Sequence, residues 1–270
     1  MKRERETMSI LKGKTALVTG ASSGLGVDFA TILAERGANL VLVARREDRL
    51  RKLAGELAAG HGVQTHVIAA DLAPLASPQA LYDRIRSMGL EIDVLINNAG
   101  FGAYGPFTEI PWEREQEMLL LDVVALVHLT KLFVRDMVAR NFGYVLQVSS
   151  IGAYQPSPTY ASYSAAKAFV LSFGEALNYE LRGTKVKMSV LSPGVTETEF
   201  LQVAGQKKSL YQRMSMMASR PVAEIGIEAM LRGKPSKVAG VMNALTAWSL
   251  RFMPRRMQAA MASAAMQVGA

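Results

Sequence analysis

Along the first two hundred residues, short uninterrupted apolar runs alternate with longer segments whose apolar positions recur at helical spacing. The runs fall at residues 15–19, 40–43, 65–70, 94–96, 144–148 and 187–191. Between them, residues 27–36, 48–59, 78–88, 113–139 and 163–181 read as helices, the first with Phe29, Ile32 and Leu33 on one face. Continuous apolar strands, rather than strands alternating with polar positions, mark a parallel sheet buried on both faces. Strand–helix alternation with right-handed crossovers predicts an α/β fold: a doubly wound parallel sheet with helices on both faces. Such sheets take ligands beyond the C-terminal ends of their strands.

Composition changes this picture mainly at the C-terminal end. The chain has 270 residues and a net charge of +8. Residues 201–270 hold ten of its Lys and Arg but only two acids, Glu224 and Glu228, together with nine of its fifteen Met. A neutral body at 1–200 is therefore expected to carry a lid and a basic, Met-rich helical extension at 201–270, within one domain. With no Cys, disulfides, thiolate–zinc sites and thiol nucleophiles are excluded. His61, His66 and His128 do not stand at ligand spacing, so no metal is expected. No apolar h-region precedes Gly13 and no stretch suits a transmembrane helix, so a cytoplasmic location is expected. Net charge without a recognition motif does not predict nucleic-acid binding.

The candidate chemistry lies at strand ends. Gly20, Ala21, Ser22, Ser23, Gly24, Leu25 and Gly26 follow the first strand and open the first helix. Gly20 permits a tight turn, while Gly24 and Gly26 permit close approach of backbone to a phosphate at a helix N-terminus. This context points to a dinucleotide. The second strand ends in Ala44 followed by Arg45, where a NAD-binding fold carries an acid for the ribose 2′-hydroxyl. A guanidinium there favours a 2′-phosphate, so NADP(H) is expected over NAD(H). Asn97, Asn98, Ala99 and Gly100 close the fourth strand, and Ser149 and Ser150 close the fifth.

Tyr163 and Lys167 are spaced i, i+4, which places them on one helical face. Bringing a phenol from about 10 to about 7 requires roughly 4 kcal/mol. One ammonium about 4 Å away, at an effective dielectric near 20, supplies about that much. The pair is thus expected to make a general acid/base usable at neutral pH.

Glycine turn, Asn-Asn-Ala-Gly, serine pair, Tyr-x-x-x-Lys and Ser192-Pro193-Gly194, in this order, resemble the classical branch of the short-chain dehydrogenase/reductase family over about residues 10–200. The resemblance implies a Rossmann-type sheet, a nicotinamide cofactor and hydride transfer between the cofactor and a carbonyl or alcohol carbon. It implies Tyr163 as acid/base, Lys167 as ribose ligand and modulator of the Tyr, and Ser150 as the substrate-orienting serine. It also implies Asp71 and Leu72 at the adenine, Asn98 in the cleft, and Pro193, Gly194, Val195, Thr196 and Thr198 around carboxamide and phosphate. A homodimer or homotetramer built through the long helices is implied as well. Where the family usually has an Asn in the long helix, this chain has Asp122, which is expected to fill that place and face Lys167. A non-catalytic NADP(H) sensor remains the alternative, with Asp122 as the feature in its favour. An extended-branch sugar-nucleotide epimerase or dehydratase is disfavoured by the spacing of Gly20, Gly24 and Gly26.

For the substrate, residues 199–219 supply Phe200, Leu201, Leu210, Tyr211, Met214, Met216 and Met217. They suit either an apolar carbonyl or alcohol substrate, such as an acyl chain, a steroid or retinoid-like alcohol or an aryl ketone, or simple packing on the core or on a partner subunit. Residues 241–266, with Arg251, Arg255 and Arg256 and a break at Pro254, suit four roles: a hairpin packed on the body, a subunit interface, an anion site, or a less favoured membrane-surface contact.

Overall fold

The computed structural model of the chain describes residues 10–206 and 216–266. Among the described residues, β1 (Thr15–Thr19), β2 (Asn39–Ala44), β3 (Thr65–Ala69), β4 (Val94–Asn97), β5 (Gly143–Val148), β6 (Val186–Ser192) and β7 (Ser236–Val238) form one sheet. Its order is β3-β2-β1-β4-β5-β6-β7, and every pairing is parallel. The helices are α1 (Leu25–Glu35), α2 (Glu47–His61), α3 (Ser77–Ser87), α4 (Trp112–Leu119), α5 (Leu126–Ala139), α6 (Ala161–Glu180), α7 (Phe200–Val203), α8 (Ser219–Leu231), α9 (Val241–Ser249) and α10 (Arg255–Met266).

Side chains alternate across each strand, so the continuous apolar runs feed two cores. On one face Ala16, Val18, Leu40 and Leu42 pack with Phe29 and Leu33 of α1, Leu50 of α2 and Ile227 of α8. On the other, Leu17, Val41, Val43 and Leu95 pack with Leu81 and Ile85 of α3 and with Leu129 and Phe133 of α5. Each such large side chain, fully buried, contributes about 1.5–3 kcal/mol. The doubly wound sheet, covered on both faces and followed by the helices α9 and α10, is the architecture expected from the pattern.

Three features depart from it. The segment 113–139, read as one helix, is divided: Leu120–Ala125 is a π-helical turn between α4 and α5, and it carries Asp122. A π-turn inserts one residue into the ladder without breaking the run of helix-forming residues, so hydrophobic spacing does not reveal it. The Tyr163 helix starts earlier, at Ala161. β7 is a three-residue strand, Ser-Lys-Val, too short and polar to show as an apolar run. Of the lid residues, Leu210, Tyr211 and Met214 lie outside the described residues.

In the strand order, β1 has β2 on one side and β4 on the other. The connections leaving β1 and β4 therefore diverge to opposite faces, which opens a crevice at their C-terminal ends.

Candidate active site

The glycine turn fills the bottom of that crevice. Gly20 and Gly24 have φ of 66° and 52°, in the left-handed region. A Cβ on Gly26 would lie 2.1 Å from the Gly20 carbonyl oxygen, so glycine is required for α1 to sit this close to the turn. No side chain caps the N-terminus of α1, which leaves its dipole facing the crevice. Thr19 holds the neighbouring strand end: its Oγ1 donates to the Ile96 carbonyl (3.2 Å) and accepts from the Asn98 and Ala99 amides (3.0 Å each). Asn98 donates from Nδ2 to the Thr19 and Gly20 carbonyls at 3.0 and 3.3 Å, bracing the turn with its side chain.

The end of β2 supplies two arginines. Arg45 Nη1 donates to Glu117 at 2.9 Å and lies 4.0 Å from Asp71. Arg46 turns the other way: Nε donates to Ser22 Oγ at 3.2 Å and Nη1 to Glu199 at 2.8 Å. Sequence reasoning named Arg45 alone, and the geometry brings Arg46 nearer the glycine turn. Glu199 also accepts from Arg49 at 2.8 Å. Arg49, then Arg46, hold its carboxyl down at about 2. Asp71 accepts the Ala73 amide at 3.0 Å, which shapes the turn after β3.

Across the crevice, Ser150 and α6 face each other. Ser150 Oγ accepts the Gly152 amide at 3.1 Å and lines the cleft together with Tyr163. Ser149 Oγ instead donates to the Lys167 carbonyl at 2.7 Å and so braces α6. Lys167 Nζ lies 5.7 Å from the centre of the Tyr163 ring and donates to the Val148 carbonyl at 3.2 Å. It also meets Asp122 Oδ2 at 2.9 Å, with both side chains buried. Asp122 Oδ1 accepts the Phe101 amide at 3.1 Å. Gly100 makes room for this pair, because a Cβ there would lie 2.8 Å from Oδ1.

The electrostatics differ from the one-ammonium arithmetic. Burial raises the Tyr163 pKa above its ordinary value; the Ser150 hydroxyl pulls it down, and the Asp122 charge raises it. The Lys167 charge is balanced by its ion pair, so the single unopposed ammonium assumed from the spacing is absent. Burial likewise raises the Asp122 pKa, against the pull of Lys167 and the Phe101 amide.

An aromatic wall completes the cleft. Tyr163 packs at 5.5 Å from Tyr160 and 5.4 Å from Phe200, and Tyr160 donates to Gln206 Oε1 at 2.8 Å. Phe200 was named from the sequence as a lid residue; Tyr160 and Gln206 were not singled out, since neither carries a local signal of facing a cleft. The cavity measures about 420 Å³. Of the residues expected at the site, Gly20, Ser22, Ser23, Gly24, Leu25, Arg45, Asp71, Leu72, Asn98, Ala99 and Gly100 line it, and so do Ser150, Tyr163, Lys167, Pro193, Gly194, Val195, Thr196 and Thr198. Gly26 lies beneath the turn and Asp122 behind Lys167. Among the described residues, no cluster of His, Asp and Glu could hold a metal.

A family model described as short chain dehydrogenase matches residues 14–209. A very-long-chain 3-oxoacyl-CoA reductase of Anas platyrhynchos is 33% identical over 198 residues, 71% of this chain and 62% of that protein. A 7beta-hydroxysteroid dehydrogenase of Collinsella aerofaciens is 33% identical over 189 residues, 70% of this chain and 71% of that protein. The chain thus spans less than two thirds of the length of the Anas relative. A solved 7beta-hydroxysteroid dehydrogenase superposes with a TM-score of 0.85 at 26% identity, covering 95% of this chain and 99% of that one. A short-chain dehydrogenase from Sphingobium yanoikuyae in complex with NADPH gives 0.79 at 30% identity, covering 89% and 94%. With the matched residues spanning β1 to α7 and both sides of the cleft, the chain belongs to the short-chain dehydrogenase family.

Proposed function

We propose that this protein is an NADP(H)-dependent oxidoreductase acting on a carbonyl or secondary alcohol of an apolar substrate. The observation that carries this reading is the convergence of Ser150, Tyr163 and Lys167 on the cleft that the glycine turn opens. The cleft fits a dinucleotide: the turn has no Cβ where a pyrophosphate would approach, and α1 presents an uncapped N-terminus. Ser22 and Arg46 suit a 2′-phosphate. When bound, the nicotinamide supplies hydride to a carbonyl carbon or takes it from an alcohol carbon.

The chain's own residues do the rest. Ser150 and Tyr163 hold the substrate oxygen by hydrogen bonds. In reduction the phenol donates its proton to that oxygen, and the raised Tyr163 pKa keeps it protonated for this step at neutral pH. Lys167, fixed by Asp122 and the Val148 carbonyl, presents its ammonium beneath the ring. Phe200, Tyr160 and Leu201 give the substrate side an apolar, partly aromatic lining that suits an acyl chain or a steroid-like ring system. A homodimer or homotetramer through α5 and α6 fits the exposed Val138, Phe169 and Tyr179.

The test follows NADPH absorbance across a panel of 3-oxoacyl, steroid and aryl ketones. Turnover of at least one class is expected, falling about 10²–10⁴-fold in Tyr163→Phe with NADPH binding retained. Binding without turnover across the panel would instead support a sensor.

A further inference from the structure

The last two helices are turned inside out. In α9 the buried stripe is Asn243 and Ala247, continued by Leu250, while Val241, Met242, Leu245 and Trp248 face outward with Phe252 beyond them. In α10, Gln258 and Ala262 are buried while Met257 and Met261 are exposed. Exposure reaches 78% at Val241, 75% at Met242 and 72% at Phe252, far beyond a scatter of single surface apolar residues. Trp248 and Phe252 pack edge to face at 5.0 Å, giving the patch an aromatic centre.

Charge specifies the occupant. After Glu228 no acid occurs to the end of the sequence, while Arg232, Lys234, Lys237, Arg251, Arg255 and Arg256 do. Arg251, Arg255 and Arg256 are exposed beside the apolar face. A second copy docking the same patch on itself would oppose arginine to arginine across a two-fold axis. A surface both apolar and anionic satisfies both halves of the patch. Among the described residues no helix is long and apolar enough to cross a membrane, so contact lies in the plane of the surface.

We propose that α9 and α10 dock this protein on an anionic lipid surface, with Trp248, Phe252 and Met242 entering the headgroup–acyl boundary and Arg255 and Arg256 facing lipid phosphates. Docking would set the substrate side of the cleft near the lipid, because α9 packs against residues 151–154, the turn that follows Ser150.

The test is co-sedimentation of the full chain with phosphatidylglycerol vesicles against phosphatidylcholine vesicles. Binding to the first alone is expected, weakened by salt. Arg255→Gln with Arg256→Gln should weaken it about thirtyfold. Trp248→Ser with Phe252→Ser should abolish it without changing the melting temperature. In a Trp112→Phe background, Trp248 emission should shift to the blue on phosphatidylglycerol. Absence of binding by the parent chain overturns the proposal. So does equal binding by the variants, or a particle whose mass halves in Trp248→Ser with Phe252→Ser and which ignores lipid, because a second copy is then the occupant. None of these readouts depends on turnover, so they stand or fall apart from the proposed activity.

Discussion

Asp122 lies where a single side chain decides the acidity of the site. Its carboxylate, 2.9 Å from Lys167, cancels the ammonium that would otherwise draw the Tyr163 phenol toward its ionised form. Alcohol oxidation needs Tyr163 as a base, so its rate should rise with pH through a pKa that burial and Asp122 both raise. Asp122→Asn keeps the acceptor for the Phe101 amide and removes the charge. Lys167 then acts unopposed, and the rising limb of kcat/KM for alcohol oxidation should move to lower pH. The same variant should melt at lower temperature, since it leaves a buried lysine without its counter-charge. Identical pH profiles for parent and variant would show that the pair only holds α6 in place.

Between elements, the β2–α2 and β6–α7 connections are clasped together by Glu199 with Arg46 and Arg49. A carboxyl held at about 2 stays ionised throughout the neutral range, so the clasp persists there and weakens only as acid approaches that value. A cofactor 2′-phosphate would compete with Glu199 for Arg46. Arg46→Ala should therefore weaken NADPH binding by about 10–100-fold, the effect of one or two charge-assisted hydrogen bonds, and leave NADH nearly unchanged. Glu199→Gln should tighten NADPH binding; titration of cofactor fluorescence reads both. An unchanged NADPH-to-NADH ratio in Arg46→Ala would move the discrimination to Arg45. The glycine turn, the serine pair and Tyr163 with Lys167 were legible because each stands at the end of a continuous apolar run or at a helix start. Arg46 was not, because adjacent residues on a strand end point to different sides and spacing does not say which one faces the glycine turn. The π-turn was hidden for a related reason: it depends on what the helix packs against, which local periodicity does not encode, whereas the pairing of Asp122 with Lys167 was expected from the place Asp122 takes in the family pattern.

At the scale of the molecule, the C-terminal extension is part of the site's frame. Asn243 of α9 donates to the Ala239 carbonyl at 2.8 Å, and its amide lies where a Cβ on Gly194 would come within 2.2 Å. The loop that leaves β6, with Pro193 and Gly194 on the cleft wall, is thus backed by a residue some fifty positions later in the chain. This long-range brace explains why a short, polar strand such as β7 is kept at the sheet edge: it delivers α9 to that loop. Asn243→Ala removes a buried hydrogen bond and leaves the Ala239 carbonyl unpaired, a loss of about 1–3 kcal/mol. For a chain of this size each kcal/mol corresponds to roughly 2–4 °C of melting temperature. If the brace also sets the cleft, NADPH affinity should fall in the same variant, and saturating NADPH should restore part of the lost melting temperature by binding the folded state. A lower melting temperature with NADPH affinity unchanged would mean that α9 supports the sheet edge and leaves the Pro193–Gly194 loop to hold itself.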